Sequence, residues 1–360
     1  MKRVLLLGNH DVVLYNFRLE VIEALLAEGN EVFLSSPYGE RIDDLVRLGC
    51  HFHEIEISRH GMNPFEDLKL IKAYQRLIDE VKPDIVFSYT IKPNLYGAIA
   101  CRSRNIPIVA NITGLGTAVE QGGFSQLVAV LLYKYAFTKV QKVFFQNSEN
   151  RQFFIDHKLA LGKHDLLPGS GVNLERFPAL EYPKDDIVRF VFIARIMKEK
   201  GIDSFLESAR FIKAKYPNTE FHVCGFIEGT YRGDLAAYAK DGTVIYHGMV
   251  RNIKEMHRQM HCTVFPSYYP EGLSNGLLEA AACARPIITT DRSGCREAVD
   301  DGISGIIVPL HDQEALNAAL ETFMAMSYEE KKAMGQAGRD KMEREFNRQI
   351  VVGKYLKELR

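Results

Sequence analysis

The sequence predicts an α/β protein built from two parallel-sheet domains. Three observations predict it. The chain has 360 residues, beyond the size at which a single hydrophobic core usually keeps growing. Two series of short apolar runs alternate with amphipathic stretches, the pattern of strand–helix–strand units. Between the two series the pattern fades into LLPGSGVNLERFPALEYPKDD, rich in proline, glycine and charge, as an inter-domain connection is.

The elements follow in order. The opening MKRVLLLGNHD resembles the start of a signal peptide, but VLLL is too short for a secretory apolar core and Gly8 opens a polar turn. RVLLLG is therefore a first buried strand. A helix around FRLEVIEALLAEG follows, with Gly29 where a C-cap belongs, and then the strand EVFLSS. DIVFSY, IPIVANI and KVFFQN have the unbroken apolar form of strands covered on both faces. The second series comprises RFVFIAR, a helix, EFHVCG, TVIYHG, CTVFPS and RPIITTD, ending in a charged helical pattern from about Tyr328. The expected domains are 1–168 and 188–345, joined by 169–187. No repeat of the solenoid type is visible. Two such domains place a cleft between the carboxyl ends of their strands, the usual ligand site of open parallel sheets.

Composition narrows the function. The formal net charge is -1, with 46% hydrophobic and 25% charged residues, so nothing global points to nucleic acid. The six cysteines are scattered with no Cys-x-x-Cys pair, several among apolar neighbours, which fits a reduced, cytoplasmic protein. The longest apolar stretch after the first strand, Leu127 to Phe137, is interrupted by Lys134 and falls well short of the roughly 20 residues that span a bilayer.

The chemistry concentrates in PSYYPEGLSNGLLEAAACARPIITTD, residues 266–291. It reads as strand end, loop, helix start, helix, turn and strand. Ser274 and Asn275 suit an N-cap, and Leu277, Leu278, Ala281 and Ala282 continue a helix. Gly272 and Gly276 leave the backbone around Leu273 unobstructed, so amides at this helix start can face a diphosphate. Glu279 lies four residues after Asn275 on the same face. Glu271, in the loop before the helix, is placed to accept hydrogen bonds from sugar hydroxyls. A capped helix with two solvated glutamates is an equal reading on chemistry alone. In IARIMKEKG, residues 193–201, Arg195 and Lys200 offer a fork of donors and a point charge to an anion. Two solvated cations would be the simpler reading of that pair, yet a helix start repels cations. Finding Arg195, Lys198 and Lys200 together there points to an anion among them.

No Asp-x-Asp triplet occurs, and the adjacent pairs Asp43-Asp44, Asp185-Asp186 and Asp300-Asp301 lack that spacing. No essential metal is therefore expected. His257 and His261, four apart, read as a solvated helix face rather than a zinc site, and His51 and His53 as surface residues.

The Glu-x7-Glu element from Glu271 to Glu279, with ARIMKEKG upstream, resembles family 4 of the retaining glycosyltransferases. YNFR, TIKPN at 90–94, ITGLGTA at 112–118 and GSGVNLERF at 169–177 extend the match in order along nearly the whole chain. It looks closest to bacterial enzymes that add N-acetylgalactosamine or related sugars to polyprenyl-diphosphate-linked glycans. The resemblance implies the GT-B fold, two Rossmann-like domains facing a central cleft. The donor would bind mainly to the C-terminal domain and the acceptor to the N-terminal one, with the segment 346–360 returning to the latter.

By position, Arg195 and Lys200 match the pair that binds the donor diphosphate, Glu271 the contact to the donor sugar, and Glu279 the contact to the ribose. Gly272 to Leu277 match the loop whose amides meet sugar and phosphate. HGMVRN at 247–252, with Gly248 and Val250, matches the nucleobase wall, and Gly8 the N-terminal glycine loop. Many members carry a histidine where this chain has Thr113, so the polar contact at the reacting carbon is unassigned. His10, Asp11 and Glu120 are candidates for it, and Lys92 of TIKPN is placed on the acceptor side.

The implied activity is transfer of a hexose or N-acetylhexosamine from a UDP-sugar, without cofactor, at the inner face of the cell membrane. A catalytically silent GT-B subunit is the alternative. The turn LLLGNHD lacks the Gly-x-Gly-x-x-Gly of a dehydrogenase. Segment 124–145 combines apolar residues with Lys134, Lys139 and Lys142 and no acid. It reads as a buried helix or as one lying on an anionic membrane surface.

Overall fold

The structure is a computed structural model describing residues 1–57, 63–116, 119, 122–229, 231, 233–270 and 272–360. The chain divides into two compact units, Met1–Ser170 with Arg348–Arg360, and Gly171–Asn347.

In the first unit, strands β1 (Arg3–Leu7), β2 (Glu31–Ser36), β3 (His51–Glu54), β4 (Ile85–Tyr89), β5 (Ile108–Ile112), β6 (Lys142–Phe145) and β7 (His164–Leu166) form one sheet in the order β3-β2-β1-β4-β5-β6-β7. Every pairing is parallel, as in Val4 opposite both Val32 and Ile85. The helices are α1 (Asp11–Ala27), α2 (Arg41–Arg47), α3 (Pro64–Val81), α4 (Ile91–Arg104), α5 (Gly123–Ala136) and α6 (Ser148–Asp156), and α13 (Arg348–Lys357) from the end of the chain. Alternate residues of β1 explain the layering. Val4 and Leu6 face one apolar cluster with α1 and α13, whereas Leu5 and Leu7 face another with α3 and α4. Strand order reverses between β1 and β4, so the turns after these two strands bound the unit's switch point.

Thr90, which follows β4, is held at φ 72°, ψ 167°, a region nearly reserved for glycine. A polar network beneath it holds the turn. The Ser88 hydroxyl donates to Asn94 Oδ1 at 2.8 Å, Asn94 Nδ2 to Asn111 O at 2.8 Å, and Asn111 Nδ2 to the Tyr355 hydroxyl at 2.7 Å. Such backbone strain costs about 1–3 kcal/mol, and the Thr90 hydroxyl has no partner among the described residues. Thr90→Gly is therefore expected to raise the denaturation midpoint in chemical melts. A lowered midpoint would mean that the side chain contributes more than the conformation costs.

In the second unit, β8 (Val188–Ile193), β9 (Thr219–Cys224), β10 (Ile245–Tyr246), β11 (Cys262–Phe265), β12 (Ile287–Thr290) and β13 (Gly305–Val308) form a parallel sheet in the order β10-β9-β8-β11-β12-β13. Its helices are α7 (Ile202–Lys215), α8 (Leu235–Lys240), α9 (Ile253–Gln259), α10 (Asn275–Ala282), α11 (Gln313–Ala325) and α12 (Tyr328–Glu345). Ser327 starts α12 with a reciprocal capping box to Glu330.

Two expectations are corrected. Much of 169–187 is core rather than free connection, because Val172, Phe177, Leu180 and Tyr182 are buried in the second unit. His257 and His261 are not on a solvated helix face. Both are buried, and His261 lies beyond the end of α9, where its Nδ1 accepts from Arg189 N–H at 3.1 Å. Burial pushes their rings down to about 3 and about 4 respectively, so both are neutral core residues. Among the described residues no group of three or more histidine, cysteine or acidic side chains is arranged to hold a metal ion.

Candidate active site

The order of the second sheet reverses between β8 and β11, so the turns leaving these strands, 194–201 and 266–274, meet at its switch point. Two glycines make the approach of the surrounding turns possible. A Cβ on Gly201, at φ +80°, would stand 2.1 Å from Pro266 O, and one on Gly225, at φ +144°, 1.7 Å from Ala194 O. Main-chain bonds lace the exits, with Tyr268 N–H donating to Glu199 O at 3.0 Å.

The turns bring Arg195 and Lys200 to one aromatic ring. The Lys200 ammonium lies 4.5 Å from the Tyr269 ring centroid and 5.6 Å from that of Phe265, and the Arg195 guanidinium lies 5.6 Å from Tyr269. The negative ring face steadies both cations. Lys200 is only 6% exposed. Burial, and then the neighbouring charge of Arg195, push its ammonium down to about 7, with the Cys295 thiol opposing. Two cations brought to one ring form a corner whose charge and donors suit a doubly charged anion. Glu228 pairs with Arg195 at 3.2 Å and holds the guanidinium at the rim.

Helix α10 starts at the same corner. A Cβ on Gly276 would stand 3.5 Å from Ile193 O, so the first turn of α10 abuts the end of β8. By position the N–H groups of Asn275 and Gly276 have no intrahelical acceptor. The Ser274 side chain makes no capping bond, contrary to expectation. Instead its N–H donates to Gly294 O at 2.8 Å, fixing the loop from behind. Asn275 Oδ1 is buried without a partner among the described residues, a free acceptor at the helix start. Gly272, Leu273 and Leu277 are buried, and Glu279 is part-buried on α10. Gly248 O accepts from Gly225 N–H at 2.8 Å, placing the 247–250 turn beside the β9 exit. Val250 turns its side chain toward the Val191, Cys224 and Met260 cluster. Glu271 and Glu120 lie outside the described residues.

In the first unit Gly8 leaves β1 with its N–H donating to Ser35 O at 2.9 Å. His10 is the N-cap of α1, its Nδ1 accepting from Val12 N–H at 3.1 Å. Asp11 beside it is buried; its carboxylate accepts from Arg41 N–H at 3.2 Å and fills the space a Cβ on Gly39 would take. The same carboxylate also pairs with His10, so it joins the start of α1 to the 39–41 turn. Lys92 pairs with Asp67 at 3.1 Å, both part-buried. Thr113 follows β5 at the carboxyl end of the sheet, part-exposed. Sequence reasoning missed Tyr269 and Glu228. Tyr269 lies inside the singled-out 266–291 stretch, where only the spacing to two distant cations would have marked it. Glu228 belongs to no motif.

The chain belongs to the glycosyltransferases. Residues 3–147 match the family model "Glycosyl transferase 4-like" and residues 175–341 the model "Glycosyl transferases group 1". The chain is 27% identical, over 99% of its length and 97% of the relative's, to the N,N'-diacetylbacillosaminyl-diphospho-undecaprenol alpha-1,3-N-acetylgalactosaminyltransferase of Campylobacter jejuni. It is 28% identical to the capsular polysaccharide biosynthesis glycosyltransferase CapM of Staphylococcus aureus, over 92% of this chain and 90% of that one. Among solved structures, a glycosyltransferase from Rickettsia africae superimposes with a TM-score of 0.80 at 16% identity, covering 99% of this chain and 97% of that one. The Anabaena protein Alr3699/HepE in complex with UDP and glucose gives 0.78 at 14% identity, covering 100% and 99%. Two parallel α/β units in one chain are thus the GT-B fold of this enzyme class. Nothing in these relatives favours a silent subunit.

Proposed function

We propose that this glycosyltransferase moves a hexose or N-acetylhexosamine from a UDP-sugar, with retention, onto a polyprenyl-diphosphate-linked glycan in surface polysaccharide or glycoconjugate synthesis. The observation that carries the donor half is the Arg195–Tyr269–Lys200 cluster beside the start of α10. The acceptor half is supported by the Campylobacter relative, whose name specifies an undecaprenyl-diphosphate-linked substrate.

The bond between the anomeric carbon and the diphosphate oxygen breaks with its electron pair passing to that oxygen. Arg195, Lys200 and the α10 amides stabilise the growing charge, the role that preorganised donors fill best. The acceptor hydroxyl oxygen bonds to the same face of the sugar and its proton passes to the departing phosphate oxygen. No metal and no cofactor enter this scheme. Incubation with UDP-sugars and a short-chain prenyl diphosphate glycan tests it, with the anomeric configuration of the product read by NMR. A retained configuration is expected, and an inverted product would overturn the mechanism.

We propose that the enzyme works at the inner face of the cell membrane, a reading that a lipid-linked acceptor supports. No helix among the described residues is long and apolar enough to cross a membrane. Helix α5 instead presents Phe124, Leu127, Leu131 and Tyr135, at 81%, 55%, 57% and 54% exposure, at spacings that share one helical face. Lys134 and Lys139 are exposed beside them, and the Arg102 guanidinium lies 4.3 Å from the Tyr135 ring. An apolar stripe with basic flanks suits an anionic lipid surface. In flotation with phosphatidylglycerol vesicles at low salt the protein should rise with the lipid, and Leu127→Glu with Leu131→Glu should remain below. A wild-type protein that stays below would sink the membrane assignment.

A further inference from the structure

From the Arg195 corner, the carboxyl ends of β8, β9 and β10 are joined by main-chain hydrogen bonds. Ile196 N–H donates to Phe226 O at 2.9 Å and Glu228 N–H to Ile196 O at 3.0 Å. Gly225 N–H donates to Gly248 O at 2.8 Å, and His247 N–H to Val223 O at 2.9 Å. The Tyr246 hydroxyl adds a bond to Gly225 O at 2.8 Å. A displacement of 247–249 is thereby felt at the turn that carries Glu228, the partner of Arg195. The same rim exposes Phe226, Ile227 and Met249. Exposed apolar side chains adjoining a diphosphate corner suit the flat π-face of a nucleobase.

Against this rim stands a pair of rings that the diphosphate chemistry does not use. His222 is buried on β9, and the exposed His247 opens the rim turn. Their planes are 10° apart with centroids at 5.2 Å, and His222 Nδ1 lies 2.9 Å from His247 Nε2. The other nitrogen of His222, Nε2, lies 3.3 Å from Glu220 Oε2. That carboxylate also accepts from Arg189 Nε at 2.9 Å, and Arg189 pairs in turn with Asp185. A carboxylate only accepts, so Nε2 of His222 carries a proton. A neutral pair then has His247 donating to His222, and one added proton still leaves a single N–H between the two nitrogens, so the bond survives. A second imidazolium sets N–H against N–H and the bond is lost. Burial holds both rings below the ordinary histidine range. Glu220 opposes this at His222, while His247 and Arg189 add to it.

We infer that the His222–His247 pair is a positioning element for the nucleobase end of the donor site, fixing the 247–249 turn until a second proton releases it. The inference rests on the reading of Arg195 and Lys200 as a diphosphate site. Its consequence is an acid limb in donor binding, carried by residues that touch neither phosphate nor reacting carbon.

The test is calorimetric affinity for a UDP-N-acetylhexosamine, whose diesterified diphosphate does not titrate in this range, followed from about pH 8 down to well below the ordinary histidine value of about 6.5. His247→Phe, at an exposed position, and His222→Leu should each weaken binding roughly threefold to tenfold, the worth of one hydrogen bond. They should raise KM and leave kcat unchanged. His222→Asn, whose amide takes the Nδ1 place and cannot titrate, should keep wild-type affinity at pH 7.5 and lose the acid limb. If His247→Phe binds as the wild type does with the acid limb intact, the inference is overturned while the function proposed above stands. A wild-type protein that binds no nucleotide overturns both.

Discussion

Arg195→Ala and Lys200→Ala each lower kcat by roughly 10²–10³, the loss seen when one preorganised donor to a developing anion is removed. The effect falls on kcat more than on KM because the diphosphate gains its charge as the sugar leaves. Lys200 adds a pH signature. In the free enzyme its ammonium is held down to about 7 by burial and by Arg195, so the free site loses its proton as the pH rises through 7. A bound diphosphate favours the charged ammonium and raises that value again. Donor affinity therefore falls as the pH rises above about 7, and binding takes up protons from the buffer. Lys200→Arg, charged throughout, should abolish this alkaline limb even where activity is reduced. Steady-state kinetics of the three variants, with calorimetry in buffers of different ionisation enthalpy, measures both effects. Alanine variants within a factor of two of wild type would remove the pair from catalysis.

Arg285→Ala is expected to destabilise the second unit by about 3 kcal/mol or more, since it strands several buried carbonyls at once. The Arg285 side chain is wholly buried. Its Nε donates to His257 O at 2.7 Å, Nη1 to Leu180 O at 3.3 Å and Ala284 O at 3.2 Å, and Nη2 to Glu181 O at 2.7 Å. One guanidinium thus ties the incoming segment 180–181 to the end of α9 and to the turn after α10. It also supplies positive charge to the negative end of α9. Arg285→Lys should recover only part of the loss, because an ammonium has three donors and no planar fork. Urea unfolding measures it, and a loss below about 1 kcal/mol would show that relaxation or water replaces these bonds.

The fold was legible because parallel strands covered on both faces announce themselves as unbroken apolar runs. RVLLLG, DIVFSY and CTVFPS all fall on strands at the centre of their sheets. The edge strands β7 and β13 were not, being only three and four residues long. Residues 169–187 read as a connection because composition reports solvation on average. Its few apolar members, Val172, Phe177 and Leu180, nevertheless pack inward at irregular intervals. His257 and His261 misled for a related reason, since helical spacing does not say where a helix stops, and α9 ends at Gln259.

In the candidate site, Arg195 and Lys200 stood out in the sequence as charge placed against a helix start, and the start of α10 through its cap residues and glycines. The structure brings the two cations to one ring. Tyr269, Glu228 and the His222–His247 pair did not stand out. Their roles come from turns on separate strands meeting at one end of a sheet, a tertiary fact without local periodicity. Asp11, an acid next to a glycine loop, pairs with His10 and accepts from the backbone of a neighbouring turn, two contacts that no spacing in the sequence announces.

The most direct test of the account is a thermal-shift titration of wild-type protein and Arg195→Ala with UDP, GDP and a panel of UDP-sugars. Ligand at 100 times its dissociation constant stabilises the folded state by about 2.7 kcal/mol, enough to move the melting midpoint. The wild type is expected to shift with UDP and with one UDP-sugar, and Arg195→Ala to lose both shifts. A wild type unmoved by every nucleotide, or a variant shifted as far as the wild type, would contradict the assignment of this corner to the donor diphosphate.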